Sequence, residues 1–474
     1  MNDKLIKFKK EIVSKKVAVI GIGVSNTPLI RYLCNLGVDV TAFDRADASR
    51  IEPYLKEIEG LDVKLHLGPN YLDKLKGFDI IFKTPVIRYD IPELERARQE
   101  GAVVTSEMEV FMELCPAEIF AVTGSDGKTT TTTLIYKMLK KHGYNCWLGG
   151  NIGIPLLSNI DEIDENDKVV LELSSFQLHT MKTSADVAVI TNISPNHLDV
   201  HKSMEEYIEA KKNICRYQNP SQKVVLNYDN LLTRGIGGEF KGKRVFFSRV
   251  NKLEEGVVIE TQGEGETSGS NRMIVYKKDG ISTPVVKTSE IFLKGEHNIE
   301  NYLAAAAAVI EYVDPEDIAA IAREFTGVEH RNEFVRRVNG VSFYNDSIGS
   351  SPTRTIATIS AFDQKVILIA GGYDKNLPYD EMGEVLAERV KCLVLTGATA
   401  PKIKDALLRY TKETGKGADI PIIMCATFEE AVNKAYDNAS EGDIVLLSPA
   451  SASFDMFRNF EERGNRFKEI VNSL

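Results

Sequence analysis

Three observations predict an α/β protein of three domains: a Rossmann-like first domain, a central domain of P-loop ATPase type and a Rossmann-like last domain. Apolar runs of strand length alternate with segments of helical spacing along most of the 474 residues, a pattern that builds parallel sheets. The run at 17–20 ends in Gly21-Ile22-Gly23 and leads into a helical pattern, as βαβ nucleotide folds begin. The run at 119–122 ends in Thr123-Gly124-Ser125-Asp126-Gly127-Lys128-Thr129-Thr130 and also opens a helix, the sequence of a phosphate cradle. The predicted domains are 1–110, 111–327 and 328–474.

In the first domain, Leu29, Ile30, Leu33 and Leu36 recur at helical spacing and stop at Gly37. A second strand at 38–43 ends on Asp44, about twenty residues past the glycines. Asp44 and Arg45 can hydrogen-bond a ribose or a base there, or form a solvated turn. Asn26 stands where the third glycine of the dinucleotide fingerprint belongs, so a nucleotide fold is predicted more firmly than NAD. Further strands are predicted at 63–65, 80–82 and 102–105, with Pro85 fixing the turn after the run at 80–82.

The phosphate loop begins the second domain. Its glycines let backbone N–H groups approach phosphate oxygens, and the helix at 131–142 adds positive partial charge from its N-terminus. Lys128 can reach the β- and γ-phosphates, and the Thr129 hydroxyl can hold Mg²⁺. Val122 replaces the first glycine of the longer consensus, and a Gly-rich turn with an exposed lysine is the plain alternative. The buried run at 169–173 carries Glu172 near its end, where a second Mg²⁺ contact is expected. The run at 187–191 ends in Asn192, with Asn196-His197-Leu198-Asp199 just beyond, so His197 reaches the same C-terminal sheet edge. The helix at 204–214 carries Lys211 and Lys212, by themselves a solvated lysine face. After a strand at 224–227, strands at 257–260 and 273–276 flank a polar stretch, 261–271, read as a hairpin tip without chemistry. Gly295-Glu296-His297-Asn298 precedes an alanine-rich helix at 302–309, with Asn298 and Asn301 within one turn of each other.

From 328 onward, strands are predicted at 341–344, 366–370, 393–396, 422–424 and 444–447, forming a second doubly wound sheet. Three strand ends carry chemistry: Asn345-Asp346-Ser347, Gly371-Gly372-Tyr373-Asp374-Lys375 and Ser448-Pro449-Ala450-Ser451-Ala452-Ser453, the last before Phe454, Phe457 and Phe460. Small and hydroxylic residues there suit anion binding by backbone N–H groups, with tight connections as the alternative.

A net charge of −10 and a pI near 5.5 argue against a general nucleic-acid or membrane-surface binder. Anionic ligands then need local sites. The opening MNDKLIKFKK has no apolar signal core, and no apolar run approaches membrane-spanning length. Six cysteines lack paired spacing, and Cys34, Cys146 and Cys392 are expected in the core of a protein from a reducing cytoplasm.

The phosphate loop, Gly149-Gly150-Asn151-Ile152-Gly153, Glu172-Leu173-Ser174-Ser175-Phe176-Gln177, Asn196-His197-Leu198-Asp199, Gly295-Glu296-His297-Asn298 and His330-Arg331 occur in that order. The set spans the chain and resembles the Mur ligases, the ATP-dependent amide-forming enzymes of peptidoglycan synthesis. Gly21-x-Gly23 and the end, from Leu446 to Gly464, are most similar to the members that add D-glutamate. The Asp-Asn-Pro-Arg signature of diaminopimelate-adding members is absent from the sequence.

The resemblance implies that ATP phosphorylates the carboxylate of UDP-N-acetylmuramoyl-L-alanine and that D-glutamate's amine displaces phosphate from the acyl phosphate. It implies uridine contacts from Val24, Ser25, Asp44 and Arg45, and substrate contacts from Asn151 and Ser174. Gly124, Ser125, Asp126, Gly127, Lys128, Thr129 and Thr130 would bind ATP, with Asn298, Asn301, Arg331 and Asp346 on its adenine or phosphate side. Thr129, Glu172, His197 and a carbamylated Lys211 would hold two Mg²⁺ ions, and His330 would sit at a domain junction among the catalytic residues. Lys375, Ser453, Phe454 and Phe460 would receive D-glutamate. The chain would act as a cytoplasmic monomer, without nucleic acid or membrane. It departs from many relatives at Thr84-Pro85-Val86, where Ser-Pro-Gly is common, and at Ile348, where a lysine is common. Folylpolyglutamate-type ligases would use the same loop. A non-catalytic nucleotide-binding regulator would keep the loop but need not keep Glu172, His197 and Lys211 together.

Overall fold

The computed structural model describes residues 2–194, 201–261, 272–293, 295–375 and 377–474. The chain forms two compact units, Met1–Phe325 and Thr326–Leu474. Three sheets carry the fold, two in the first unit and one in the second.

The first sheet is wholly parallel and comprises β1 (Lys16–Ile20), β2 (Asp39–Asp44), β3 (Val63–Leu67), β4 (Ile80–Lys83) and β5 (Val103–Thr105), in the order β3-β2-β1-β4-β5. β1 is buried except at its first residue, because strands covered on both faces need continuous apolar runs. The helix α1 (Asp3–Ile12) precedes it, capped by the Asn2 side chain. Leu5 and Ile12 of α1, β1 residues Val17 and Val19, and central residues such as Val169 and Leu171 belong to one hydrophobic cluster. That shared core explains why the first two sheets make a single compact unit.

The second sheet has nine strands, in the order β14-β13-β12-β11-β10-β9-β6-β8-β7. Third from one edge is β6 (Glu118–Thr123), flanked by β8 (Lys168–Glu172) and β9 (Val187–Ile190). β7 (Cys146–Gly150) is an edge, while β10 (Lys223–Asn227), β11 (Lys243–Ser248) and β12 (Gly256–Thr261) continue the parallel set. β13 (Arg272–Lys278) and β14 (Ile281–Lys287) are antiparallel, and the expected hairpin joins β12 to β13, its tip lying outside the described residues. The helix α6 (Lys128–His142) begins three residues earlier than its apolar spacing suggests, inside the phosphate loop. The helix α10 (Glu296–Val309) buries Ala304, Ala305, Ala306, Ala307 and Ala308 completely, since small side chains let it lie close to α6 and the sheet.

The second unit holds β15 (Glu333–Val338), β16 (Val341–Asn345), β17 (Val366–Ala370), β18 (Val390–Leu395), β19 (Ile422–Met424) and β20 (Ile444–Leu447), ordered β15-β16-β20-β17-β18-β19. Only β15, which the sequence reading missed, runs antiparallel. Its charged residues, Glu333, Arg336 and Arg337, suit an edge strand. Period-two alternation sends Leu368 and Ala370 of β17 into one core and Ile367 and Ile369 into the other.

Cysteine burial corrects the expectation: Cys392 is buried, but Cys34 and Cys146 are only half-buried, and Cys215 is the other buried cysteine. Cys146 opens the edge strand β7, so one side lacks a neighbouring strand. No described helix is long and apolar enough to cross a membrane.

Candidate active site

The phosphate loop occupies the turn between β6 and α6. Gly127 caps α6 in the left-handed region, and a Cβ there would lie 2.2 Å from Asn301 Oδ1. Glycine is therefore required both by the turn and by the close approach of α10. The loop is braced from β9: Asn192 accepts from the backbone N–H groups of Ser125 and Asp126, and Thr191 Oγ1 donates to the Asp126 carbonyl at 2.6 Å. Lys128 Nζ folds back over the loop to the carbonyls of Gly124 (3.0 Å) and Ser125 (2.9 Å). Thr129 is buried and Thr130 half-buried in the first turn of α6, and Asp126 is exposed. Fixed N–H groups, a helix N-terminus and a lysine thus meet at one edge, an arrangement suited to phosphate.

Glu172 ends β8 in register with Val122 of β6, one strand away from the loop. It is 1% exposed. Asn151 Nδ2 donates to its Oε1 at 2.7 Å, while Oε2 has no hydrogen-bond partner among the described residues. A buried, unpartnered carboxylate oxygen calls for a cation or a proton.

Lys211 comes from α8 (Met204–Arg216), which Ser203 caps. It is 1% exposed, and its Nζ donates to Gly124 O at 2.7 Å and Thr123 Oγ1 at 3.3 Å. Burial holds its ammonium well below the usual lysine range; Lys128 acts in the same direction, and Glu172 and Asp126 oppose it. Lys212, one residue on, faces Glu209 and Glu239 instead. One helix therefore sends one lysine to the loop and the other to an acidic surface pair.

The structure brings Gly124 to Thr130, Asn151, Glu172, Lys211, Asn298 and Asn301 to the same edge of the central sheet. Asn301 Nδ2 donates to Asn298 Oδ1, and Thr131 donates to Asn301 Oδ1. Ser174 adjoins this edge but caps the short helix α7 (Ser175–Leu178) in a reciprocal pair with Gln177. His197 lies outside the described residues. His201, four residues on, is buried, stacks on Phe176 and meets Ser175 Oγ at 2.9 Å.

The first-domain residues form a separate group. Val24 and Ser25 are exposed beside the start of α2 (Asn26–Asn35), and Arg45 is exposed after β2. Asp44 closes the glycine turn, accepting from Ile22 N at 2.6 Å and Ala46 N at 2.7 Å. Beyond Thr84-Pro85-Val86, Arg88 pairs with Asp90 and with Glu206 of α8, tying this turn to the central sheet.

In the second unit, Asp346 is buried, accepting from Thr358 Oγ1 and Ser448 Oγ, and burial raises its carboxyl above the usual range. Arg331 is exposed, and buried His330, at φ 61°, meets Asn345 Nδ2 at 3.0 Å. Lys375 is exposed with Nζ 5.5 Å from the centre of the exposed Phe454 ring. Ser453 is buried, and Phe460 opens α16 (Phe460–Ser473).

Sequence reasoning did not assign roles to Thr191, Asn192 and Tyr207. Tyr207 Oη meets Ser125 Oγ at 3.0 Å, and its ring centre lies 4.6 Å from Lys211 Nζ. The signal was present in the four-residue spacing of Tyr207 and Lys211 on one helix face.

Comparison with known proteins matches residues 122–309 to the Mur ligase middle domain, 330–451 to the Mur ligase glutamate ligase domain and 15–106 to the MurD-like Mur ligase N-terminal domain. Over 474 residues the chain is 63% identical to the UDP-N-acetylmuramoylalanine--D-glutamate ligase of Acetivibrio thermocellus, with all of both chains covered. It is 58% identical to the protein of that name from Ruminiclostridium cellulolyticum, again with both chains fully covered. Among solved structures, the UDP-N-acetylmuramate-alanine ligase of Thermotoga maritima shares the fold, with a TM-score of 0.55 and 22% identity over 97% of this chain and 99% of that one.

Proposed function

This chain belongs to the Mur ligase family, and we propose that it joins D-glutamate to UDP-N-acetylmuramoyl-L-alanine while converting ATP to ADP and phosphate. The observation that carries the proposal is the convergence of Lys128, Glu172 and Lys211 on one sheet edge, in a chain 63% identical along its length to a D-glutamate ligase. The reaction serves peptidoglycan precursor synthesis, and through it cell-wall growth, cell shape and division. We assign it to the cytoplasm and to a monomer.

The proposed division of labour gives 1–110 the UDP substrate, 111–327 ATP, and 328–474 the amino acid. Val24, Ser25, Asp44 and Arg45 would contact uridine, and Asn151 and Ser174 the acyl end. The loop N–H groups and Lys128 would hold the transferring phosphoryl group while it passes to the alanyl carboxylate. Asn298, Asn301, Arg331 and Asp346 would serve the nucleotide, and His330 would act among the catalytic residues. The amine of D-glutamate, held by Lys375, Ser453, Phe454 and Phe460, would then attack the acyl phosphate and release phosphate.

Thr129, Glu172 and His197 would hold two Mg²⁺ ions, with the unpartnered Glu172 Oε2 supporting the fit. Bound Mg²⁺ supplies positive charge against phosphate oxygens. Lys211 would add to them as a carbamate. Its neutral amine attacks CO₂, a C–N bond forms and one proton leaves, turning a neutral amine into an anion beside the loop. Its position at Gly124, where a free ammonium would repel Mg²⁺, supports Lys211 over Lys212 as the modified residue.

Incubation with UDP-N-acetylmuramoyl-L-alanine, ATP and either D- or L-glutamate tests the proposal. Amide formation with D-glutamate alone, matched by phosphate release, is expected. Amide formation with another amino acid but not D-glutamate would overturn the substrate assignment. Absence of phosphate release with every candidate acceptor would overturn the ligase reading.

A further inference from the structure

We infer that Arg463 is the positioning residue that makes the C-terminal sheet edge selective for an amino acid with an anionic side chain. The inference rests on the proposed role of the second unit in receiving the amino acid, and deepens it by naming a source of its charge preference. Arg463 lies in the first turn of α16 and is 1% exposed, the largest fully buried side chain among the described residues. Its Nε donates to Ser347 Oγ at 3.0 Å and its Nη2 to Ser347 O at 2.8 Å. Its Nη1 donates to Ser451 O at 3.0 Å and Ala452 O at 3.1 Å.

Ser347 follows β16, and Ser451 and Ala452 follow β20; these strands are parallel neighbours. One guanidinium therefore ties together the two strand ends that bear Asp346 to Ile348 and Ser451 to Ser453. A planar fork can do this; a lysine, with a single nitrogen, cannot reach all the acceptors at once. All four acceptors are neutral oxygens, and no described carboxylate forms an ion pair with Arg463 within salt-bridge distance. Asp455 and Asp346 only moderate its charge from beyond contact, and burial brings the guanidinium down to about 10, still protonated near neutrality.

A tie between neutral oxygens does not require a full charge. A buried cation without an ion-pair partner leaves a positive field at a strand edge whose backbone and hydroxyl groups already suit anions. Ile348 adds no charge there, and Lys375 is exposed. Arg463 thus provides a fixed charge at the strand end that bears Asp346 to Ile348, acting through the field and through loop geometry.

The test uses the full chain with Arg463→Gln, Arg463→Lys and Asp455→Asn. It compares KM for D-glutamate with the competitive inhibition constant of D-glutamine, whose side chain is neutral. Arg463→Gln is expected to reduce the preference for D-glutamate over D-glutamine by about tenfold or more. The KM values for ATP and the UDP substrate should stay within about twofold, and Arg463→Lys, which keeps the charge but not the fork, should retain more of the preference than Arg463→Gln and less than the unaltered chain. Asp455→Asn removes an exposed opposing charge and should shift the preference the other way by about twofold, a readout that survives if Arg463→Gln does not fold. An unchanged preference in Arg463→Gln, or in Asp455→Asn when Arg463→Gln cannot be recovered folded, would overturn the inference. In that case normal D-glutamate ligation by the unaltered chain would leave the proposed function standing; loss of ligation in the unaltered chain would remove both.

Discussion

Lys211 and Arg463 are both buried cations at C-terminal strand edges, and they behave differently. Lys211, at the central sheet, meets one carbonyl and one hydroxyl and lies within the influence of Lys128 and Glu172. Arg463, in the second unit, makes four hydrogen bonds to neutral oxygens. Burial lowers both groups from their ordinary ranges. A lysine can lose its proton and accept a covalent change; a guanidinium keeps its charge and delocalises it over a rigid fork. The lysine therefore suits an edge whose charge must be changed, and the arginine suits one whose charge must stay fixed.

Removing the partner of the lysine edge should have the largest effect. Lys128→Ala is expected to lower kcat by about 10²–10³ or more, the magnitude of losing a preorganised phosphate contact, with the fold retained by circular dichroism. Near-normal turnover in that folded variant would remove the central sheet from the phosphoryl chemistry.

Neighbouring lysines sharpen the comparison further. Lys211→Ala should lower turnover by about 10² or more, whereas Lys212→Ala should stay within a few-fold of the unaltered chain. With ¹³C-labelled CO₂, a carbamate resonance should appear in the unaltered protein and in Lys212→Ala, and disappear in Lys211→Ala. A resonance that follows Lys212 would reverse the assignment.

At the arginine edge, Lys375 is exposed, so the contact proposed for it with D-glutamate should be mobile and of moderate strength. Lys375→Ala is expected to raise KM for D-glutamate about tenfold, the loss of one charge-assisted hydrogen bond, without moving KM for the UDP substrate. A change confined to ATP binding would place Lys375 with the nucleotide.

Burial acts with the opposite sign on an acid, which supplies the smallest effect. Glu107, in α5 (Glu107–Leu114), is buried and accepts from Leu157 N at 2.9 Å; desolvation raises its carboxyl to about 7. Because the folded value exceeds the unfolded one of 4.5, its stabilising protonation is present below that pH and is lost as pH rises through about 7. Glu107→Gln should leave urea stability near that of the unaltered chain at pH 5 and raise it by roughly 1–3 kcal/mol at pH 8. Equal midpoints for the two proteins at both pH values would show that Glu107 does not titrate in this range.

The resemblance to an ATP-dependent ligase was legible in the phosphate loop, Glu172 and the ordered motifs, because phosphate and metal chemistry demand particular residue types at short spacings. Most strands were legible because buried parallel strands must be apolar. The edge strand β15 was not, since Glu333, Arg336 and Arg337 leave it no apolar run. The resemblance singled out Lys211, but local pattern alone did not separate it from Lys212; in the packed α8 the roughly 100° turn between successive helix positions gives them different environments. Asp44 carried the right spacing for a ribose, yet spacing could not reveal that both its oxygens already receive backbone donors.

By itself, the sequence determined the alternating α/β pattern, the glycine turns and the set of reactive residues, because these depend on local periodicity and on groups close along the chain. Only the tertiary structure decided which of those residues meet. Asn301 reaches Gly127 from 174 positions away, and Arg463 reaches Ser347 from 116 positions away. Contacts of that range come from sheet order and helix packing, which bring together strand ends that no local pattern connects.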